Sequence, residues 1–512
     1  MKSYNTLRII KKAITIYMLF CIVIECIAFP ALENLFGCVV LLYGWLFISR
    51  TVLKVDFLYH YFIPFVAIFF YGICFFALPL GVTLIEGKPI TFRFNVPYIT
   101  FFNLMLNVTT IVLAFHTCRR IYKEGWLLGI WKKLGYFKVP TEAQIWAMAG
   151  AGIFALLYNI TIQGTDMMDA ENKGAWGQIM NQMTKFAILP IAMLFPKYYG
   201  RKNTAIPRTS LIVYFSFIIF LAIVTTKRTL MFTGIVSWGL MAFLVVLLEN
   251  KKLFKTKTNI LIIIGLYLVT GPVADLATAM ILNRQSAYSS KAGETFTNIW
   301  KLYSDKEKLH NAYNMASLSN SDNGGDNFYA WSEYYVDNIL LDRICNLRTQ
   351  DLTLDYATKL GYDNSKMHRY AENFLMFQIP TPILDIFGYT TNKFDSNYTP
   401  GDLLSTEGLG LKNMYKGFRV AGDSGIGLYW MGYSYYIFAF FIYVLVFYFF
   451  SSLVSTKLQF IIPIPIIIAL LTYFNNSTGI FKSLNLILRN GMQDILLYVI
   501  LFGVIRLIIR QK

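Results

Sequence analysis

The chain is poor in charge and in the side chains that most often carry enzymatic chemistry. Asp, Glu, Lys and Arg make up only 15% of its 512 residues, and it has four histidines and six cysteines. Low charge combined with 56% hydrophobic residues excludes an ordinary soluble globule. No Gly-x-x-x-x-Gly-Lys-Ser/Thr loop, His-Glu-x-x-His, Cys-x-x-Cys or Gly-x-Ser-x-Gly segment occurs. Those absences remove the P-loop hydrolases, the helix-borne zinc hydrolases, the common thiolate metal sites and the α/β-hydrolase elbow. Five of the cysteines (Cys21, Cys26, Cys38, Cys74 and Cys118) lie in or beside apolar runs, and Cys345 stands alone in a polar segment, so no disulfide framework is implied.

What the chain has instead is apolar length. Runs of about 20 residues, enough to cross ~30 Å of hydrocarbon at 1.5 Å per residue, recur along most of it. They predict an all-α polytopic membrane protein of about twelve spans, near 13–30, 35–49, 57–80, 97–117, 144–163, 176–195, 209–226, 229–248, 259–281, 432–453, 459–475 and 494–509. The resulting organisation is a membrane bundle over 1–282, a large and mostly helical extracytoplasmic loop over 283–431, in which the amphipathic stretch from Tyr335 to Leu360 reads as one or two helices, and a second bundle segment over 432–512. The apolar run from Ala13 follows a basic patch (Lys2, Arg8, Lys11, Lys12) and lacks a small-residue cleavage site, so it reads as a retained span.

The net charge of +17 does not imply nucleic acid, because Lys and Arg fall in short clusters between the runs. Basic connections, such as Arg119-Arg120 with Lys123, Lys132, Lys133 and Lys138, alternate with connections poor in Lys and Arg, such as 164–174. Basic loops are retained on the cytoplasmic side. Both termini are therefore expected inside and the large loop outside. Lys227-Arg228 then falls on the outer side, against this trend. It is either a snorkelling pair or an anion site at the membrane surface.

Three constellations could carry chemistry. The first is a set of outer cations: Lys227, Arg228, Arg284, Arg343, Arg348 and Arg419. Arginine's planar fork suits a diphosphate, although Arg343 adjoins Asp342 and Arg419 lies near Asp423. The second is a polar face at helical spacing, Gln178, Asn181, Gln182 and Lys185, lining a membrane cavity or joining helices, with Asp275 as a weaker counterpart. The third is "GDSGIGLYWMG", whose Gly422, Gly425, Gly427 and Gly432 permit tight turns and close backbone approach.

The layout of many spans with one large outer loop late in the chain resembles the O-antigen polymerases (Wzy-type oligosaccharide repeat-unit polymerases). "TKRTLMF" is similar to the Arg-containing outer turn of that family, "IPTPILDI" at 379–386 to the proline-bearing stretch of its large loop, and "DSGIGLYWMGYSYYIF" to its Gly-rich return into a span. The family's Arg-x10-Gly spacing is missed by two residues at both Arg419…Gly432 and Arg284…Gly293.

The resemblance implies a metal-independent glycosyltransferase without cofactors in the bacterial cytoplasmic (inner) membrane. Its substrates would be polyprenyl-diphosphate-linked oligosaccharides presented at the periplasmic face of the lipid bilayer. A chain-length regulator and a flippase are implied partners, and nucleic acid is not. An acceptor hydroxyl would attack the anomeric carbon as polyprenyl diphosphate leaves. The site would supply positive charge and orientation, with a base for the acceptor hydroxyl for which Asp423, Glu407, Glu333 and His368 are the candidates. Tyr329, Trp331, Tyr334 and Tyr335 could stack on sugars or pack a core. The competing expectations are an O-antigen ligase-type enzyme, with the same donor and a different acceptor, and a polysaccharide transporter, which should show internal repeats that are not evident here.

Overall fold

The computed structural model describes residues 4–123, 126–161, 174–202, 208–224, 228–250, 271–282, 292–309, 331–379, 384, 386–388, 398–410, 419–455, 460–476 and 479–509. Among them the fold is all-helical, with one isolated bridge between Ser455 and Ile461 in place of any strand. Five helical stretches are long and apolar enough to cross a membrane: Leu32–Thr51, Phe62–Ile85, Pro97–Ile121, Asp423–Ser452 and Ile480–Ile508. Two shorter apolar helices, Thr209–Ile223 and Thr233–Leu248, accompany them. Most of the span expected over 259–281 lies outside the described residues.

The outward faces of these helices are apolar. Ile437, Phe441 and Leu445 recur every four residues, each more than half exposed, and Ile16, Phe20, Val23 and Ile27 form a similar stripe on the Tyr4–Ala28 helix. Such stripes are costly in water and neutral against lipid, and they mark a membrane protein.

The chain divides into two compact units. The first comprises Met1–Tyr122, Asn314–Tyr448 and Asn476–Arg489, and the second Lys123–Tyr313, Phe449–Asn475 and Asn490–Lys512. This division differs from the expected boundaries at 282 and 431. Most of the polar segment belongs with the first 122 residues.

In the first unit, Leu32–Thr51 packs along Pro97–Ile121. The Phe62–Ile85 stretch contains a π turn at Ile73–Ala77. Pro79 offers no N–H to the Phe75 carbonyl and its ring crowds that turn, so the helix widens just before it. The polar segment folds as helices on this frame. The stretch from Tyr335, expected as one or two helices, forms two: Ile339–Cys345 and Arg348–Leu360. The second packs against Pro400–Leu409, Asp423–Met431 and Pro97–Ile121. The glycine-rich return is mostly helix, where tight turns were expected. The close approach is present: a Cβ on Gly425 would lie 2.6 Å from the Thr353 carbonyl carbon. The turn comes at Gly432, whose φ of 56° favours a residue without Cβ.

In the second unit, Glu142–Thr161 packs on a 3-10 stretch, Thr184–Leu194, that contains Pro190. The expected span 176–195 is therefore an α-helix, Gly174–Met183, continued in a different helical form. Helices Arg208–Val224, Pro272–Leu282 and Ala292–Ser304 share a core built on Ala222, Ala279, Met280 and Ile299.

Candidate functional site

Buried side-chain hydrogen bonds in the first unit fasten the 86–96 turn. Glu25, fully buried, accepts from Asn34 Nδ2 at 2.7 Å and from the Ile90 N–H at 2.7 Å. Asn34 in turn accepts from Thr91 Oγ1 at 3.0 Å. On the opposite side the turn meets the segment from Trp331. Tyr335 donates to the Ile90 carbonyl at 2.7 Å, and Lys88 bridges Glu86 and Asp337 at 2.7 and 2.8 Å.

Asp351 locks the polar helices to the same place. Its carboxylate accepts from the N–H groups of Asn95 (2.7 Å) and Val96 (2.9 Å), from Thr100 Oγ1 (3.0 Å) and from Arg348 Nη1 (2.7 Å). Burial still pushes the Asp351 carboxyl upward and the Arg348 guanidinium downward, so desolvation outweighs their attraction. Such a pair specifies an arrangement more than it stabilises it. A second hub forms at Asp402, which closes a capping box with Thr399 and holds the Arg419 N–H and guanidinium at 3.1 and 3.3 Å.

The expected cations therefore separate. Arg348 and Arg419 are taken up by Asp351 and Asp402 inside the fold and are not presented outward. Arg343 is 60% exposed, 4.0 Å from Glu333. Lys227 and Arg284 lie outside the described residues, and Arg228 begins the Arg228–Leu248 helix with its side chain outside them too. Most of "IPTPILDI" is likewise not described.

The structure adds Arg93, which sequence reasoning missed. It is exposed and sits at φ 61°, a conformation that costs an arginine energy. Its guanidinium lies 4.9 Å from the Tyr334 ring centre and 5.5 Å from that of Phe92, touching Ser332 Oγ at 3.5 Å. Among the described residues it pairs with no carboxylate. A guanidinium held over aromatic rings keeps N–H groups available for an anion. The signal was an arginine between two phenylalanines, "FRF", in a short turn between apolar runs.

The four candidate bases also separate. Glu333 accepts from Trp331 Nε1 at 3.1 Å and from the Val420 N–H at 2.8 Å. Glu407 pairs with Lys366. His368 Nε2 lies 2.7 Å from Asp363 on an exposed surface. Asp423 alone of the four has neither a hydrogen bond nor an ion pair from its side chain among the described residues. Trp331 and Tyr335, offered as sugar platforms or core, are buried, and Tyr334 holds the two cations, Lys88 and Arg93.

In the second unit, the polar face at 178–185 is broken by the change of helix form. Gln178 and Asn181 are exposed. Lys185 pairs with Asp494 and donates to Gln182 Oε1 at 3.0 Å. The partner was readable as a lone carboxylate in an apolar run. The adjoining cavity, about 10 Å³, holds one water at most. Asp275 lies 3.6 Å from Lys306.

No protein-family model, curated protein or solved structure matches the chain.

Proposed function

We propose that the protein polymerises polyprenyl-diphosphate-linked oligosaccharide repeat units at the outer face of the bacterial cytoplasmic membrane, for surface polysaccharide. In this reading the chain has about twelve spans with both termini inside, and the polar helices form a periplasmic cap. A diphosphate is already a good leaving group. The protein must neutralise the charge that develops on it and hold two lipid-linked glycans in register.

The observation that carries this reading is Arg93. It is a strained, exposed arginine with no carboxylate partner among the described residues, close to two aromatic rings in a turn between two apolar helices. That turn would sit at the depth of a lipid's phosphates. Strain of this kind persists where surrounding structure imposes it, and it concentrates at ligand clamps. Arg343, exposed beside the same segment, is the second cation offered.

The test is chain length in the native host. Arg93→Ala should leave single repeat units where the wild type makes long chains, and Arg93→Lys should be intermediate. Each variant is run beside a deletion strain, with membrane levels of the protein checked by blotting. Unchanged chain length in the deletion strain would remove the polymerase reading.

A further inference from the structure

Arg93 is held in place from both sides, and the two holds are unlike. The Phe94 N–H donates to the Thr91 carbonyl at 2.9 Å, closing a turn over 91–94 with Arg93 in its third place. A positive φ at that place, here 61°, normally belongs to glycine or asparagine. Left free, an arginine would relax toward negative φ. The residues on either side prevent it.

Downstream, Asp351 accepts from the N–H groups of Asn95 and Val96 at 2.7 and 2.9 Å, and Asp355 accepts from Asn95 Nδ2 at 2.6 Å. Upstream, the hold falls on Ile90 and Thr91. Glu25 Oε1 accepts from the Ile90 N–H at 2.7 Å. Asn34 Oδ1 accepts from the Thr91 N–H at 3.3 Å and from its hydroxyl at 3.0 Å. The Ile90 side chain is fully buried, and a Cβ on Gly37 would lie 2.8 Å from its Cδ1. Between the two fixed points lie Phe92, Arg93 and Phe94.

Asp351 also ties down a helix and a buried arginine, so its hold belongs to the general architecture. Glu25 does less. Its Oε1 serves Ile90 and Asn34, while its Oε2 is buried without a partner, and it forms no ion pair among the described residues. A carboxylate fully buried near the end of an apolar helix is costly with one oxygen idle. An apolar side chain would pack there at less cost. What Glu25 provides is an acceptor for the Ile90 N–H and, through Asn34, a fixed place for Thr91.

We propose that Glu25, with Asn34, is a positioning residue for Arg93, holding its guanidinium where the donor's diphosphate is bound. The proposal rests on the polymerase reading. Neither side chain touches substrate, and both act through the backbone just before Arg93. A cation that meets charge as it develops must be fixed in advance. A displacement of about 1 Å can cost on the order of 100-fold in rate.

The test uses the full-length protein reconstituted in vesicles with the lipid extract of the deletion strain, which supplies lipid-linked single repeats. Initial rates are read as the first linkage formed, so that slow variants remain measurable. Hydrogen exchange is followed in peptides covering the 86–96 turn. Glu25→Ala should lower the rate about 10- to 100-fold and speed exchange of the turn. Glu25→Gln keeps an oxygen for the Ile90 N–H and should stay within about threefold of wild type. Thr91→Val removes one hydroxyl at a partly exposed place, so it should fold normally, and it should slow growth about threefold.

The double variant separates positioning from mere structure. If Glu25 acts through Arg93, Glu25→Ala in an Arg93→Ala chain should slow growth by less than about twofold further. A structural role would cost as much in either background, and that result would overturn the proposal. So would a Glu25→Gln protein as slow as Glu25→Ala, or exchange of the turn unchanged by Glu25→Ala. If Glu25→Ala runs at the wild-type rate while Arg93→Ala is slow, the positioning role falls and the polymerase reading stands. If Arg93→Ala itself runs at the wild-type rate, the Arg93 site fails and the positioning role goes with it.

Discussion

Asp351 and Asp423 are the same side chain in the same compact unit, and their surroundings are opposite. Asp351 receives four donors, two of them from the backbone of a turn about 255 residues away in sequence. Asp423 receives none among the described residues, and its carboxylate rests against Gly479, where a Cβ would lie 2.0 Å from Oδ1. A saturated carboxylate has no capacity left for a ligand, and its work is to fix geometry. An unsaturated one is kept at a cost that folding alone does not explain. The structure thus separates candidate residues by what already occupies them. Arg348 and Arg419 fall on the saturated side, and Arg93 and Asp423 on the other.

The largest effect should come from breaking the saturated hub. Asp351→Ala leaves Arg348 buried without its partner and strands two N–H groups and a hydroxyl. The expected loss is about 3–5 kcal/mol, the range for removing one member of a buried pair. Thermal unfolding in detergent, alongside protease sensitivity of the polar helices, measures it. Asp423→Asn should leave the same transition within about 1 kcal/mol of wild type. Equal losses for the two substitutions would abolish the distinction.

How much of this was legible follows from separation along the chain. Apolar length announced the helical class, and the amphipathic stretch from Tyr335 announced one or two helices, of which the structure forms two. Asp351 looked like an ordinary surface carboxylate of that pair, because its donors at Asn95, Val96 and Thr100 are far away in sequence. Asp423 was one candidate base among four. Nothing local distinguished it, since its isolation depends on a reversal at Gly432 and on Gly479. Arg348 and Arg419 looked available for a diphosphate for the same reason, their partners being visible only once the helices pack.

A pH scan tests a case between the two extremes. Asp342 accepts from the N–H groups of Tyr335 and Val336, yet burial pushes its carboxyl up to about 6 from an ordinary 3.8. The native state therefore holds this proton longer than the unfolded chain does. Between about pH 4 and 6 the native state binds more protons, so this group's contribution to stability falls as pH rises and levels off above the window. The span is on the order of 3 kcal/mol. Asp342→Asn should flatten that part of the stability–pH curve, and an unchanged curve would assign the slope to other groups.

Gly479→Ala should cost about 1–3 kcal/mol, the usual price of overpacking. The backbone is extended there (φ −153°), so alanine meets only the steric conflict with the Asp423 carboxylate. Asp423→Ala in the same chain should recover most of the loss. Additive losses would show that the crowding comes from elsewhere.

The smallest stability change, with the sharpest contrast to function, is expected at Arg93. Glycine accepts φ 61° freely, so Arg93→Gly relieves backbone strain of about 1 kcal/mol. It also loses the stacking on Phe92 and Tyr334, worth about 0.5–1 kcal/mol at an exposed site. The two nearly cancel, and the unfolding midpoint should scarcely move. A residue kept only for structure would be replaced there without consequence. If the cation is held to meet a diphosphate, the glycine variant should be as stable as wild type and make single repeats. A variant of normal stability that still makes long chains would place Arg93 with the structural residues and leave the saturation contrast without a functional consequence at that turn.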